Sequence, residues 1–151
     1  MTTAPVSALG LDIGRKRIGV AGCDGTGLIA TGLTTLHRRS FKELVADLRD
    51  LVQTRQAQLL VVGLPLTMDG EEGFQARQVR KIAAGLERAL GLPVVYVDER
   101  LSSVEAEQLM RAEGRSVAVE KSLIDRKAAA IILQRWLDSR RPLEINPCKQ
   151  T

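Results

Sequence analysis

The chain has 151 residues and a mass of 16.5 kDa, the size of a single domain with one hydrophobic core. Hydrophobic residues are 44% and charged residues 26%, which excludes disorder as the main state. The longest apolar runs, such as Ala128 to Leu133, are far too short to cross a bilayer. Lysine and arginine total 22 against 18 acidic residues, and arginine supplies 16 of them, a balance compatible with phosphate contacts. Aromatics are only 3%, which argues against a base-stacking platform; if the chain grips nucleic acid, it grips the backbone. Met1 to Ser7 lacks the basic and apolar regions of a secretory signal, and Cys23 and Cys148 form no C-x-x-C pair, so a reduced, cytoplasmic setting is expected.

Three strands open the chain. Ala8 to Ile13 is an apolar run ending at Gly14. Ile18 to Cys23 follows the basic turn Arg15-Lys16-Arg17, and Asp24-Gly25 signals a turn before a third extended stretch near Leu28 to Leu36. Connections this short require antiparallel neighbours. Ser40 and Glu43 form a capping box for a helix carrying Phe41, Leu44, Val45, Leu48, Leu51 and Val52 at helical spacing. Leu59 to Val62 is a fourth strand, stopped by Gly63 and Pro65. A second helix carries Phe74, Val79, Ile82, Ala83, Leu86 and Leu90 on one face and stops at Gly91 and Pro93; Val94 to Val97 is a fifth strand. Ser102 and Glu105 cap a third helix ending near Gly114, and a last helix starts at Ser122 and runs to about Leu137. Residues 1–138 are expected to form one domain and 139–151, with two prolines and no periodicity, a flexible tail. The predicted order gives an α/β fold: a ribonuclease H-like mixed five-stranded sheet, its first three strands antiparallel, with helices on both faces.

Three acidic positions stand out. Asp12 interrupts an apolar strand, where a charge is costly unless it is paired with a cation such as Arg15 or Arg17, or bound to metal. Asp98-Glu99 ends the fifth strand. Asp125 lies three residues after Ser122, where it suits a helix cap, and also shares a face with Ala128, Ala129, Ile132 and Trp136. Strand ends and a helix start can converge at one edge of an α/β sheet, and clustered carboxylates need cations; an oxygen-only ligand set suits Mg²⁺ or Mn²⁺. The lone histidine, His37, leaves little room for zinc or a histidine base.

The segment Leu9-Gly10-Leu11-Asp12-Ile13-Gly14-Arg15-Lys16-Arg17-Ile18-Gly19-Val20-Ala21 resembles the opening motif of the YqgF family, also called RuvX, which comprises Holliday-junction resolvases and pre-16S ribosomal RNA nucleases. Val61-Val62-Gly63-Leu64-Pro65-Leu66 with Met68-Asp69-Gly70, then Asp98 to Ala106, and Ile124-Asp125 with Ala128-Ala129 resemble its further motifs in order. The resemblance implies a metal-dependent nuclease with Asp12, Glu99 and Asp125 as catalytic and metal-holding positions, Asp98 being the substitute for Glu99. Lys16, Arg17 and Arg100 flank these acids and are candidate phosphate contacts, with solvated surface charge as the plain alternative. The expected activity is metal-dependent phosphodiester hydrolysis in structured nucleic acid, precursor rRNA or branched DNA, with Mg²⁺ or Mn²⁺ as cofactor. The alternative is a non-catalytic nucleic-acid-binding factor in transcription or ribosome maturation. A junction resolvase would be expected to act as a symmetric homodimer.

Overall fold

The computed structural model describes residues 6–67, 69–99 and 121–140. Five strands, β1 (Ala8–Ile13), β2 (Arg17–Cys23), β3 (Ala30–His37), β4 (Leu59–Leu64) and β5 (Val94–Asp98), form one sheet in the order β3-β2-β1-β4-β5. The first three pair antiparallel, and β4 runs parallel to both β1 and β5, as the short turns and the two helical crossovers require. Helix α1 spans Phe41–Arg55, α2 Phe74–Leu90 and α3 Lys121–Ser139. The helix expected between Ser102 and Gly114, the tail from 141 onward and Cys148 lie outside the described residues.

Local chemistry fixes most boundaries. The Ser40 hydroxyl accepts from the Glu43 amide at 3.1 Å and so caps α1. Gly91 takes φ 70 at the end of α2, a left-handed cap that glycine adopts without strain. The turn after β2 is wider than Asp24-Gly25 suggested. The Asp24 carboxylate accepts from the Leu28 and Ile29 amides and the Thr26 hydroxyl, which holds it below the usual carboxylate range, and Gly27 rather than Gly25 takes positive φ.

The sheet alternates its side chains between two cores. Leu9, Leu11, Ile18, Leu60 and Val62 pack against Leu44, Leu48, Val79 and Leu86 of α1 and α2. Ala8, Ala21, Cys23 and Val61 pack against Ala129, Ile132, Leu133 and Leu137 of α3. Asp12 shares the second face, because it alternates with Leu11 and Ile13. This face is cut low by glycine. A Cβ on Gly10 would lie 2.7 Å from the Leu133 Cβ, and one on Gly19 only 2.0 Å from the Asp125 carbonyl oxygen. Helix α3 therefore rests on the sheet backbone itself. No described helix is long and apolar enough to cross a membrane.

Candidate active site

The carboxyl ends of β1, β4 and β5 open onto a cavity of about 630 Å³ whose lining includes Asp12, Glu99 and Asp125. Each acid arrives by a different route. Asp12 is carried by β1 opposite Gly19 of β2, and Gly19 admits the α3 backbone at Asp125. Glu99 follows β5, two strands from Asp12, and the intervening strand leaves it a passage. A Cβ on Gly63 of β4 would lie 2.8 Å from the Glu99 Cγ, so the side chain leans across the glycine toward Asp12. Its amide donates to the Leu64 carbonyl at 3.2 Å, which anchors the turn from which it leans. Asp98, the substitute ligand, is exposed at the strand end and does not line the cavity.

The electrostatics match this convergence. Glu99 is only 8% exposed, and burial, then the charge of Asp12, pushes its carboxyl up to about 8 despite the opposing pull of Arg135. Burial, with the charge of Asp125 second, pushes Asp12 up to about 6. Neither side chain has a hydrogen-bond or ion-pair partner among the described residues. Asp125 does. Arg17 Nε donates to its Oδ2 at 2.6 Å, with the two side chains 29% and 20% exposed. Asp125 is therefore neither the partner of a Ser122 N-cap, since α3 already includes Lys121, nor free in the cavity.

The cations expected beside the acids take different positions. Arg17 is spent on Asp125, Lys16 is exposed away from the cavity lining, and Arg100 lies outside the described residues. Arg15 and Arg38 line the cavity instead. Arg38 Nη1 donates to the Gly14 carbonyl at 2.8 Å, and its amide to the Lys16 carbonyl at 2.9 Å, which ties the β3 end to the β1–β2 turn. The opposite wall is the start of α2, with Phe74, Gln75 and Gln78. Phe74 was expected on the apolar face of its helix; it is 68% exposed, and Ala76 takes the buried position.

A divalent cation fits the chemistry of these donors. They are oxygen-only, they repel one another, and two of the three carboxylates have no hydrogen-bond or ion-pair partner among the described residues. No three acidic, His or Cys side chains among the described residues stand close enough to hold an ion without adjustment, and Asp125 is paired with Arg17.

The model of RuvX, described as Holliday junction resolvase, matches residues 6–139. The chain belongs to the RuvX family. Two relatives, from Trichormus variabilis and Rippkaea orientalis, both named "Putative pre-16S rRNA nuclease", are 63% and 62% identical to it over 92% and 90% of this chain and 92% and 98% of their own. Among solved structures, Thermus thermophilus RuvC in complex with a Holliday junction substrate superposes with a TM-score of 0.58 at 14% identity, over 91% of this chain and 99% of that one. The fowlpox virus Holliday junction resolvase does so with a TM-score of 0.53 at 14% identity, over 89% and 99%. These two likenesses establish the ribonuclease H-like fold, and membership of RuvX makes the chain a nuclease.

Proposed function

We propose that this RuvX protein is a metal-dependent endonuclease that cuts phosphodiester bonds in structured nucleic acid, precursor 16S rRNA or branched DNA, at the cavity between β1, β5 and α3. The observation that carries the reading is the meeting of Asp12, Glu99 and Asp125, from three separate elements, around one cavity, with two of them lacking a hydrogen-bond or ion-pair partner among the described residues. In this reading the three carboxylates hold Mg²⁺ or Mn²⁺. Bound there, the ion supplies Lewis-acid polarisation of the phosphate and a nucleophilic water at neutral pH, in place of a histidine base.

The chain's own residues do the rest. Arg15 and Arg38 set the phosphodiester against the acids, and their planar forks suit a phosphate's paired oxygens. Burial of Glu99 favours its protonated carboxyl near neutral pH, so the three acids do not all carry charge at once. Phe74 offers an exposed ring to a base beside the scissile phosphate. Residues 1–138 act as one nuclease domain, the protein works in the cytoplasm, and a four-way junction would recruit two copies.

The deciding experiment is a cleavage panel of four-way DNA junctions, duplex and single-stranded DNA, and precursor 16S rRNA, with Mg²⁺, Mn²⁺ or chelator, using wild type and Asp12→Asn. Metal-dependent products from wild type alone support the reading. Tight, salt-sensitive binding with no product on any substrate would favour the non-catalytic binding factor instead.

A further inference from the structure

Arg17 opens β2 and faces the α3 side of the sheet, in alternation with Gly19, Ala21 and Cys23. Its contact with Asp125 joins residues 108 positions apart and is the shortest charged contact at the site. Two features separate it from an ordinary surface ion pair. Both partners are largely covered, so water screens the attraction less than at an open surface. The contact is also made by Nε alone; the terminal Nη groups form no hydrogen bond among the described residues, so the fork is held at one point and not clamped.

The position of the pair adds a reason for it. Gly19 pairs with Asp12 across the β1–β2 ladder, and the same glycine admits the Asp125 backbone. Asp125 is thus brought close enough to Asp12 for the two charges to oppose each other. A cation at Arg17 offsets that repulsion, and Arg17 is not among the residues that line the cavity.

We propose that Arg17 is a positioning residue: the built-in counter-ion of Asp125, which holds that carboxylate in place while no divalent cation is bound and yields it when one binds. The inference rests on the metal-holding role proposed above for Asp125. It sets Arg17 apart from Arg15 and Arg38, which face the substrate, and makes metal affinity a competition between an internal guanidinium and an external ion. A phosphate-contact role for Arg17 would make no such competition.

The test uses the whole chain with metal alone and no nucleic acid. In wild type, the Arg17 Nε–Hε resonance, assigned by its absence from Arg17→Lys, should exchange slowly with water in chelator. It should lose that protection along the same Mg²⁺ titration that calorimetry records as binding. Arg17→Gln should bind Mn²⁺ about tenfold more tightly than wild type, and Arg17→Lys, which keeps the charge, within about threefold of it. A structural ion pair alone would lower the melting temperature of Arg17→Gln equally with and without metal and leave Mn²⁺ affinity unchanged. An Arg17 resonance unaltered at saturating Mg²⁺, or equal Mn²⁺ affinity in Arg17→Gln and wild type, overturns the proposal while leaving the metal site standing. If wild type itself takes up neither ion, and Asp12→Asn behaves identically, the metal-site reading falls as well. The wild-type resonance decides the matter even if Arg17→Gln does not fold.

Discussion

Replacing Glu99 by Gln should stabilise the metal-free protein, and the gain should depend on pH in a way that follows from the buried carboxyl. Its folded value of about 8 lies above the ordinary 4.5, so the unfolded chain loses this proton first as pH rises. Between those two values the unfolded state binds fewer protons than the native state, and stability falls with rising pH. A shift of that size corresponds to about 4 kcal/mol of penalty near pH 7.5 but only about 1 kcal/mol near pH 5, at roughly 1.4 kcal/mol per unit. Because Glu99 and Asp12 titrate together, about 1 to 3 kcal/mol of differential effect is the working expectation. Any cost of burying an unpaired amide is the same at both pH values and cancels. The assay is a set of thermal melts of wild type and Glu99→Gln in chelator at the two pH values. The melting-temperature difference, mutant minus wild type, should be larger near pH 7.5 by about 3 to 10 °C. Repeating the melts near pH 7.5 with Mg²⁺ at ten times its dissociation constant should raise wild type by about 1.4 kcal/mol and the mutant by much less. A mutant-minus-wild-type difference that does not change between the two pH values would refute the reasoning.

Asp12→Asn should abolish metal-dependent cleavage, leave nucleic-acid affinity within a few fold by filter binding, and melt no lower than wild type in chelator, since it removes one of the mutually repelling charges. Gly19→Ala should cost about 2 kcal/mol or more in a denaturant titration, because the new methyl overlaps the Asp125 carbonyl and must lift α3. Gly63→Ala should cut the cleavage rate more than it weakens substrate binding in single-turnover kinetics, because its methyl meets the Glu99 side chain as well as Ile132. Charge removal at Arg15 or Arg38 should lower the salt slope of nucleic-acid binding by about one unit each, whereas Lys16→Gln should leave it nearly unchanged. Phe74→Ala should weaken single-strand binding by about 1 to 3 kcal/mol, measured by fluorescence anisotropy, without moving the melting temperature.

Patterns that repeat along the chain were legible, and contacts made across it were not. Ser40 with Glu43, Gly91, and the alternation around Asp12 announce a cap, a stop and a two-sided strand from neighbouring residues alone. Strand order followed from the same local facts, because short turns force antiparallel neighbours and helical crossovers run right-handed. Asp12 could be singled out because a charge in an apolar strand is expensive, whereas Glu99 and Asp125 were drawn to it by their places at a strand end and a helix start and by the resemblance of their segments to the family's motifs. Which cation faces which acid is a different kind of fact. Arg15, Lys16 and Arg17 are consecutive and chemically alike, yet Arg17 opens β2 and pairs with Asp125, while Arg15, in the turn before the strand, lines the cavity. The reach of Glu99 across β4 was equally hidden, because it depends on a missing side chain: Gly63 reads as a strand stop in one dimension and as a passage in three. Phe74 misled for a simple reason: helical spacing assigns a face, but the first residue of a helix can point past the end of the layer it packs on.

The glycine-lowered face under α3 has a consequence for when the protein becomes competent during synthesis. Residues 6–64 can pair β1 to β4 as the chain emerges, and β5 can add to that sheet, all before α3 is made. Until then Val61, Ala21 and Ala8 face water on the side that α3 will cover, and Asp125 has not yet joined Asp12. Because the glycines leave no side chains there to pack against one another, nothing else in the sheet can substitute for the helix. A partly translated chain therefore carries the fold's topology before Asp125 reaches the cavity, and the proposed metal site is complete only when the last described helix lies down.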